Sequence, residues 1–377
     1  MIRWNRPLAA FALAAFALAG CSDSQQLPTE PMAGFDTPTV TAPSFDALVL
    51  PTATTVKVAD LFAGQYTDVG DVFVWNDADY VYVEFTIDSG WCMTESHASV
   101  VADVADFPQK NGNPIPGKFE KNSEYTECTD TESYAFDLTD LGVGAGDPVH
   151  VAVHAVVWEK ASETKDWFMS QAGDGAYGPL AAYAALDGAW GTVGSAVAAW
   201  VHPSWPGIAD ATWISTAYEV EDPVNDSWRK FTKVVSVPGW PLDGGISAAT
   251  SDNAEEVYFN GTMIGWDGEV TGTATDDHEW NTIKSYPFAP MMGDNDVAFT
   301  VRNYALAGGT VQSNPTGLIY KGFVTYYSHK ETAWAGTAVG MTPFGGANWA
   351  TYFTYTIVPQ CPTCGRWCQP VRWACAP

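Results

Sequence analysis

The sequence predicts an all-β protein that consists of a β-sandwich host domain with an inserted β jelly-roll domain. Apolar and polar residues alternate with period two in many short segments, as in Tyr80–Ile87. Turn-forming residues separate these segments, for example residues 76–79 (NDAD) and the pair Asn260-Gly261. No long segment shows the 3.6-residue repeat of an amphipathic helix. These observations together indicate strands joined by tight turns.

The composition limits the classes of partner. Acidic residues number 44 against 17 basic ones, which gives a net charge of −27. Nucleic acids and anionic lipid surfaces would be repelled by such a chain, so we expect neither as a partner. The charge is compatible with a solvated acidic surface or with calcium binding. The 17 Trp, 16 Tyr and 18 Phe residues supply both large cores and exposed aromatic platforms.

Residues 1–21 are typical of an export signal, with two arginines followed by a short apolar run. The run ends in Leu18-Ala19-Gly20-Cys21, which resembles the lipobox of bacterial lipoproteins. That resemblance implies that Cys21 is acylated and anchors the chain to a membrane, and Ser22 points to the outer membrane or cell surface. The alternative is an ordinary signal peptide. Residues 22–44 are rich in Pro, Thr, Ser and Gln, which predicts a flexible tether.

The first β unit begins at residue 45. Its predicted strands are residues 72–75, 80–87, 98–101, 133–138 and 150–158. In the second of these, Val81, Val83 and Phe85 should share the buried face. Cys92 and Cys128 are the only cysteines of this unit, and export favours a disulfide between them over two free buried thiols. Such a bond would stabilise the fold by about 3–4 kcal/mol.

Two histidine-containing pairs lie at even spacing on predicted strands, Glu95 with His97 and His150 with His154. His97 and His154 are therefore candidates for a metal site formed between adjacent strands. The alternative is that they are hydrogen-bonded structural histidines. No nucleophile accompanies Glu95 and His97, so a catalytic role for that pair is not favoured.

Residues 161–194 are dominated by Gly, Ala and aromatics, which predicts a covering segment or a linker, with a short helix at residues 180–186. A second β unit begins near residue 198. Its predicted strands are residues 210–215, 228–237, 245–250, 255–261, 296–303 and 318–327.

Three segments of the second unit are similar to galactose-binding-like jelly rolls, which are common among carbohydrate-binding modules. They are residues 249–261 (ATSDNAEEVYFNG), 293–303 (GDNDVAFTVRN) and 314–319 (NPTGLI). Candidate ligand-binding residues near the loops of this unit are Trp240, Trp266, Trp280 and Asn303, because flat rings stack on sugars and amides bond hydroxyls. Core packing is the alternative for each tryptophan. Asp252 and Asn253 are candidate calcium ligands, with turn formation as the alternative.

Five further segments resemble a β-sandwich module of secreted surface proteins. They are residues 90–97, 112–119, 153–157, 331–334 and 348–355, with departures from the pattern at Ser96 and Val153. The last two come far later than that pattern expects. We therefore predict that residues 45–160 and 329–358 form one host sandwich and that 161–328 is an inserted domain. Domains in series are the alternative.

Residues 359–377 form a cysteine-rich tail. Its cysteines, Cys361, Cys364, Cys368 and Cys375, predict two local disulfides, and a metal knuckle is the alternative.

Taken together, these patterns favour a non-catalytic, lipid-anchored surface protein that binds a glycan. The alternative is a structural or adhesion protein without a small ligand. A hydrolase is less favoured, because no acid–base pair or nucleophile motif is marked out.

Overall fold

The computed structural model describes residues 56–191, 194–272, 279–336 and 342–360. The fold is all-β, as predicted: strands dominate the described chain, and the only α-helix there, α1 (Leu138–Leu141), has a single turn. None of the described helices is long and apolar enough to cross a membrane. The predictions for the signal, the tether and the tail, including Cys21, Cys361, Cys364, Cys368 and Cys375, lie outside the described residues.

Nine strands precede residue 160. They are β1 (Lys57–Ala63), β2 (Thr67–Asn76), β3 (Tyr80–Ile87), β4 (Trp91–Val101), β5 (Gln109–Lys110), β6 (Asn113–Pro114), β7 (Lys121–Thr129), β8 (Thr131–Asp137) and β9 (Pro148–Glu159). Short 3₁₀ turns occur at Val104–Asp106, Pro116–Lys118 and Lys160–Ser162.

Twelve strands follow before residue 328. They are β10 (Glu163–Met169), β11 (Gly175–Leu180), β12 (Gly194–Ser195), β13 (Val197–Ala198), β14 (Ile214–Ser215), β15 (Ser227–Val237), β16 (Trp240–Asp252), β17 (Ala254–Phe259), β18 (Thr262–Asp267), β19 (Lys284–Phe288), β20 (Gly293–Asn303) and β21 (Gly317–Tyr327). A 3₁₀ turn at Glu279–Asn281 precedes β19. Three strands end the described chain, namely β22 (Lys330–Gly336), β23 (Thr342–Pro343) and β24 (Thr351–Thr356).

One ten-stranded sheet contains strands from both ends of this series. Its order is β8-β3-β2-β1-β22-β9, and β4 and then β7 continue beyond β9. The two terminal strands meet through side chains, since the Tyr134 hydroxyl donates to Ser123 Oγ at 2.9 Å. The sheet thus curls around a core in which Val81, Val83 and Phe85 are fully buried, as their alternation predicts.

The late segment completes this sheet. β22 pairs with β1 and β9, and β24 pairs with the first residues of β9. The Asn76 side chain, at the end of β2, binds the end of β24. Its Oδ1 accepts from the Tyr355 hydroxyl at 2.7 Å and from the Val358 amide at 2.9 Å. The sheet is therefore formed by two chain segments that are separated in sequence by β10–β21.

β10–β21 form two six-stranded antiparallel sheets. One contains β13-β14-β21-β16-β19 with β10 beside β21, and the other has the order β12-β11-β15-β20-β17-β18. Residues from both sheets, such as Phe231, Phe299, Leu318 and Tyr320, share one apolar core. The first and last strands of this part, β10 and β21, pair directly, with Glu163 opposite Tyr327.

Two adjacent chain segments connect the ten-stranded sheet with the part made of β10–β21. Lys330 is opposite Trp158 in the ten-stranded sheet, and Glu163 is opposite Tyr327 in the sheet that contains β10 and β21. The Ser162 hydroxyl accepts from the amides of Ser328 and His329 at this crossing. The ends of the intervening segment therefore lie side by side.

The predicted helix at residues 180–186 is wrong. β11 runs to Leu180 and the backbone then turns without a helix. Tyr183, Ala184 and Trp190 pack instead on the outer face of the sheet that contains β15, so the segment does cover a surface. Burial of these rings outweighs a local helix in a segment with Gly188 and no 3.6-residue repeat.

The predicted disulfide between Cys92 and Cys128 is confirmed. It joins β4 to β7 and closes a segment that contains the β5–β6 hairpin. Phe119, at the end of that segment, packs with Trp334 and Phe344, and Asn113 Oδ1 accepts from the Asn348 amide at 3.0 Å. The five segments that resemble the secreted module thus meet on one side of the ten-stranded sheet.

Candidate functional site

Of the three candidate tryptophans, Trp266 is the one whose ring is open to solvent, with 66% of its surface exposed. Trp240 is half-buried, with its ring centroid 6.5 Å from that of Trp158. Trp280 is half-buried beside the packed pair Trp205 and Trp213. Packing accounts for Trp240 and Trp280, whereas Trp266 is free to stack against a ligand.

Trp266 borders an open cleft of about 220 Å³ at the edge of the β18 sheet. Glu256 lies directly opposite Trp266 in the β17–β18 register. Met263, which is 45% exposed, lines the same cleft. An aromatic ring, a thioether and a carboxylate therefore converge on one shallow opening.

A hairpin positions these groups. Asn260 and Gly261 form the two-residue turn between β17 and β18, both with positive φ, at 47° and 79°. Asn and Gly tolerate this backbone, so the predicted hairpin forms and fixes the register of Trp266 against Glu256. Among the described strands β18 is the edge of its sheet, so none of them continues the sheet beyond Trp266.

Two tyrosines hold the Glu256 side chain. Its Oε2 accepts from the Tyr258 hydroxyl at 2.8 Å and from the Tyr183 hydroxyl at 3.3 Å. Burial and the neighbouring carboxylate raise the pKa of Tyr258 above its ordinary value, so its hydroxyl stays a donor. Within the described chain no hydrogen bond reaches Glu256 Oε1. That oxygen is available as an acceptor for a ligand hydroxyl.

Asp252, Asn253 and Asn303 lie inside the fold. Asp252 Oδ2 accepts from the Trp205 indole at 3.0 Å, and burial raises the pKa of Asp252 to about 8. Asn253 Oδ1 accepts from the Tyr304 amide at 2.8 Å. Asn303 is fully buried, and neither atom of its amide has a partner among the described residues. In those residues no group of three or more His, Cys, Asp or Glu could hold a metal ion, and the calcium role of Asp252 and Asn253 stays a prediction.

The structure brings His97 and His154 together, and their role as metal ligands stays a prediction. They are opposite each other on β4 and β9, and their Nδ1 atoms are 3.2 Å apart. Burial lowers the pKa of His154 to about 3 and also lowers the pKa of His97, which favours the neutral form of both rings. Trp334 packs 4.9 Å from the His154 ring. His150 lies apart, where its Nδ1 is 3.2 Å from Thr354 Oγ1.

Sequence reasoning missed Glu256, Tyr183 and Tyr258. The two-residue period of a strand places Glu256 and Tyr258 on one face of Ala254–Phe259, and that face could have been connected with the Trp266 face through the Asn260-Gly261 hairpin. Tyr183 had no such signal, because it comes from a covering segment far away in sequence.

No protein-family model and no curated protein matches the chain. Several solved structures show a low similarity. A family 35 carbohydrate binding module from Clostridium thermocellum shares 13% identity over 42% of this chain and 97% of that chain, with a TM-score of 0.22. A lectin from Pleurotus ostreatus in complex with GalNAc shares 13% identity over 81% of this chain and 88% of that one, with a TM-score of 0.23.

An alpha-L-rhamnosidase from Streptomyces avermitilis complexed with L-rhamnose shares 12% identity over 83% of this chain, at a TM-score of 0.25. The aligned region spans only 28% of that enzyme. At these TM-scores the similarities support no inference about a ligand or a site. Any inference about a ligand therefore depends on the geometry of the cleft.

Proposed function

We propose that this chain is an exported, lipid-anchored surface protein that binds glycan without catalysis, in the cleft between Trp266 and Glu256. The observation that carries the proposal is the exposed Trp266 ring directly opposite a carboxylate that two tyrosine hydroxyls hold in place. A sugar ring offers one apolar C–H face and several hydroxyls. The indole suits the first and Glu256 Oε1 suits the second.

The shape of the cleft favours a sugar ring over an enclosed ligand. Its volume of about 220 Å³ is below that of pockets that bury whole drug-sized molecules, which hold roughly 300–1,000 Å³. A ring stacked on Trp266 would keep much of its surface in solvent. The terminal or side-chain sugar of a larger glycan fits that description.

The carboxylates of the cleft favour binding over hydrolysis. Glu256 accepts two hydroxyl donors at one oxygen, which holds it as an acceptor. Glu269 is the second acidic residue that lines the cleft. Its carboxylate lies so close to Gly272 that a Cβ added to this glycine would overlap the carboxylate. A glycosidase needs two carboxyl groups that face one scissile bond.

Export and anchoring are supported by the lipobox-like residues before Cys21 and by the Cys92–Cys128 disulfide, which suits an oxidising compartment. A surface-exposed chain of this kind would meet extracellular polysaccharides. The acidic net charge makes neutral or cationic glycans the expected ligands.

The test is affinity gel electrophoresis of the chain from residue 22 onward in gels that contain individual neutral polysaccharides. We expect retardation by at least one of them, and its loss in Trp266→Ala, with affinity lower by about tenfold or more because a stacking contact is removed. Glu256→Gln should weaken binding less.

Tyr218→Ala is the matched control, since Tyr218 is an aromatic of similar exposure, 61%, in the same part of the chain. Equal loss in this control, or retardation that survives Trp266→Ala, would refute the site. Release of reducing sugar from a bound polysaccharide would refute the non-catalytic assignment.

A further inference from the structure

A second, smaller cleft opens beside the first hairpin of the ten-stranded sheet. It has a volume of about 150 Å³ and is lined by Phe62, Gln65, Tyr66, Trp334, Trp349 and Thr351. Four of these six side chains are aromatic and none is charged. It belongs to the part of the chain that the glycan proposal does not use.

An unusual turn forms the rim of the cleft. Gly64 and Gln65, between β1 and β2, have φ values of 54° and 78°, and the Tyr66 amide donates to the Ala63 carbonyl at 3.2 Å. Positive φ is uncommon for a residue such as Gln65 and is maintained only where the surroundings enforce it. The turn leaves the Tyr66 side chain 85% exposed to solvent.

The inner wall of the cleft is rigid. Trp334 is 6% exposed and is wedged between the rings of His154 and Phe119, at 4.9 and 6.3 Å between centroids. Thr351 donates its hydroxyl to the Ala335 carbonyl at 2.9 Å. The cleft therefore has a fixed aromatic wall and an exposed tyrosine at its mouth.

One carboxylate lies beside the rim of the cleft. The Glu331 carboxylate lies against the rim turn, since a Cβ at Gly64 would be 3.3 Å from its Oε2. His329 lies between Glu159 and Glu331, with ring nitrogens 3.1 Å from each carboxylate. Two carboxylates face one imidazole, so this group of three is negative whether or not His329 is protonated. Among the described residues that line the cleft there is no lysine or arginine.

Volume and charge together select the ligand. A volume of about 150 Å³ corresponds to a group of roughly six carbon atoms, such as benzene. Aromatic faces attract cations, and this attraction is the basis on which aromatic cages recognise quaternary ammonium groups. We infer that the cleft is a binding site for a trimethylammonium group, with Tyr66, Trp334 and Trp349 as the cage and Glu331 as the carboxylate at its rim.

The test uses the purified full-length protein titrated with choline and with tetramethylammonium, followed by tryptophan fluorescence and calorimetry. We expect both cations to bind, and to bind on the order of tenfold more tightly than the neutral tert-butyl analogue of choline, which has the same shape without the charge. Vesicles of phosphatidylcholine, compared with vesicles of phosphatidylglycerol, then show whether the group is also recognised on a lipid.

Tyr66→Ala should weaken choline binding several-fold, whereas Tyr66→Phe, which keeps the ring, should retain it. Tyr66 is so exposed that neither variant should disturb folding. Glu331→Gln should weaken choline and leave the neutral analogue unchanged, and Trp266→Ala should leave choline binding unchanged. Equal affinity for choline and its neutral analogue would refute a cation site, and so would the absence of any binding or a loss in Trp266→Ala.

Discussion

The two parts of this molecule handle buried polar groups in opposite ways. Among the described residues of the ten-stranded sheet, the buried polar side chains are neutral, for example Asn76, Ser96 and the His97–His154 pair. The part made of β10–β21 buries ionisable acidic and basic side chains. They are Asp174, Arg229, Asp252, Glu255, Glu256, Asp267 and Arg302.

The partners of these groups differ accordingly. Arg229 is completely buried and donates to Thr216, Ser227 and Glu221. Glu255, also completely buried, accepts from the hydroxyls of Ser251 and Tyr286. In the described chain, the buried side-chain atoms without a hydrogen bond all belong to this part, on Ser215, Asp252, Thr300 and Asn303.

Buried charges cost desolvation energy and are retained only where they are paired or have a purpose. We therefore expect the ten-stranded sheet, with an apolar core and a disulfide, to act as a stable frame. The β10–β21 part contains ionisable groups in its interior, and one of them, Glu256, lines the candidate glycan cleft.

The largest effect is expected at Arg229. Arg229→Ala leaves Glu221 and two hydroxyls without their donor and should lower the free energy of unfolding by about 3–5 kcal/mol. Lys160→Ala is the control, because Lys160 pairs at the surface with the exposed Asp130 at 3.1 Å and should cost about 0–1 kcal/mol. Denaturant titrations that give equal costs for the two variants would contradict the contrast.

The frame depends on its disulfide. Replacing both Cys92 and Cys128 by Ser should cost about 3–4 kcal/mol, because the bond closes a segment with a sequence separation of 36. Calorimetry should show that the transition of the ten-stranded sheet moves to lower temperature while glycan retention at Trp266 persists at low temperature. An unchanged melting temperature of the double variant would show that the disulfide does not stabilise the ten-stranded sheet.

The two parts should respond to pH with opposite sign. Burial lowers the pKa of His154 to about 3 from 6.5, so the unfolded chain binds a proton that the folded one refuses, and stability falls as pH drops below about 6.5. Burial raises the pKa of Asp252 to about 8 from 3.8, so the folded chain retains a proton, and stability falls as pH rises from about 4 to 8.

Asp252→Asn should therefore remove the loss of stability between about pH 4 and pH 8 and leave the rise that His154 produces up to about pH 6.5. Urea titrations at intervals between pH 4 and pH 9 measure the difference from the wild type. A variant whose profile is parallel to that of the wild type throughout would show that Asp252 titrates normally.

Local patterns predicted much of the framework. The alternation in Tyr80–Ile87 predicted the bounds that this strand has in the structure. The turn-forming pair Asn260-Gly261 predicted the hairpin between β17 and β18. The covering segment failed as a helix because its rings pack on a distant sheet, which no local pattern records. Strands β10 and β11 were missed for a similar reason, since their partners lie in β21 and β15.

The candidate site was only partly predictable. Trp240, Trp266 and Trp280 look alike in sequence, and exposure alone separates Trp266 from the others. Pairing across the hairpin brings Glu256 to it, and a remote segment supplies Tyr183. Side-chain chemistry can be read from the sequence, but which rings remain uncovered is decided by tertiary packing.

The central claim is that β10–β21 form a separately folding, glycan-binding domain inserted into a complete frame. Residues 161–328 can be removed and Lys160 joined to His329 through two glycines, because the Glu159 amide already donates to the His329 carbonyl at 3.1 Å. The decisive measurement is the thermal unfolding and glycan retention of this shortened chain and of the excised segment. We predict that both unfold cooperatively, and that retention follows the excised segment alone. Failure of both pieces to fold, or retention by the shortened chain, would contradict the account.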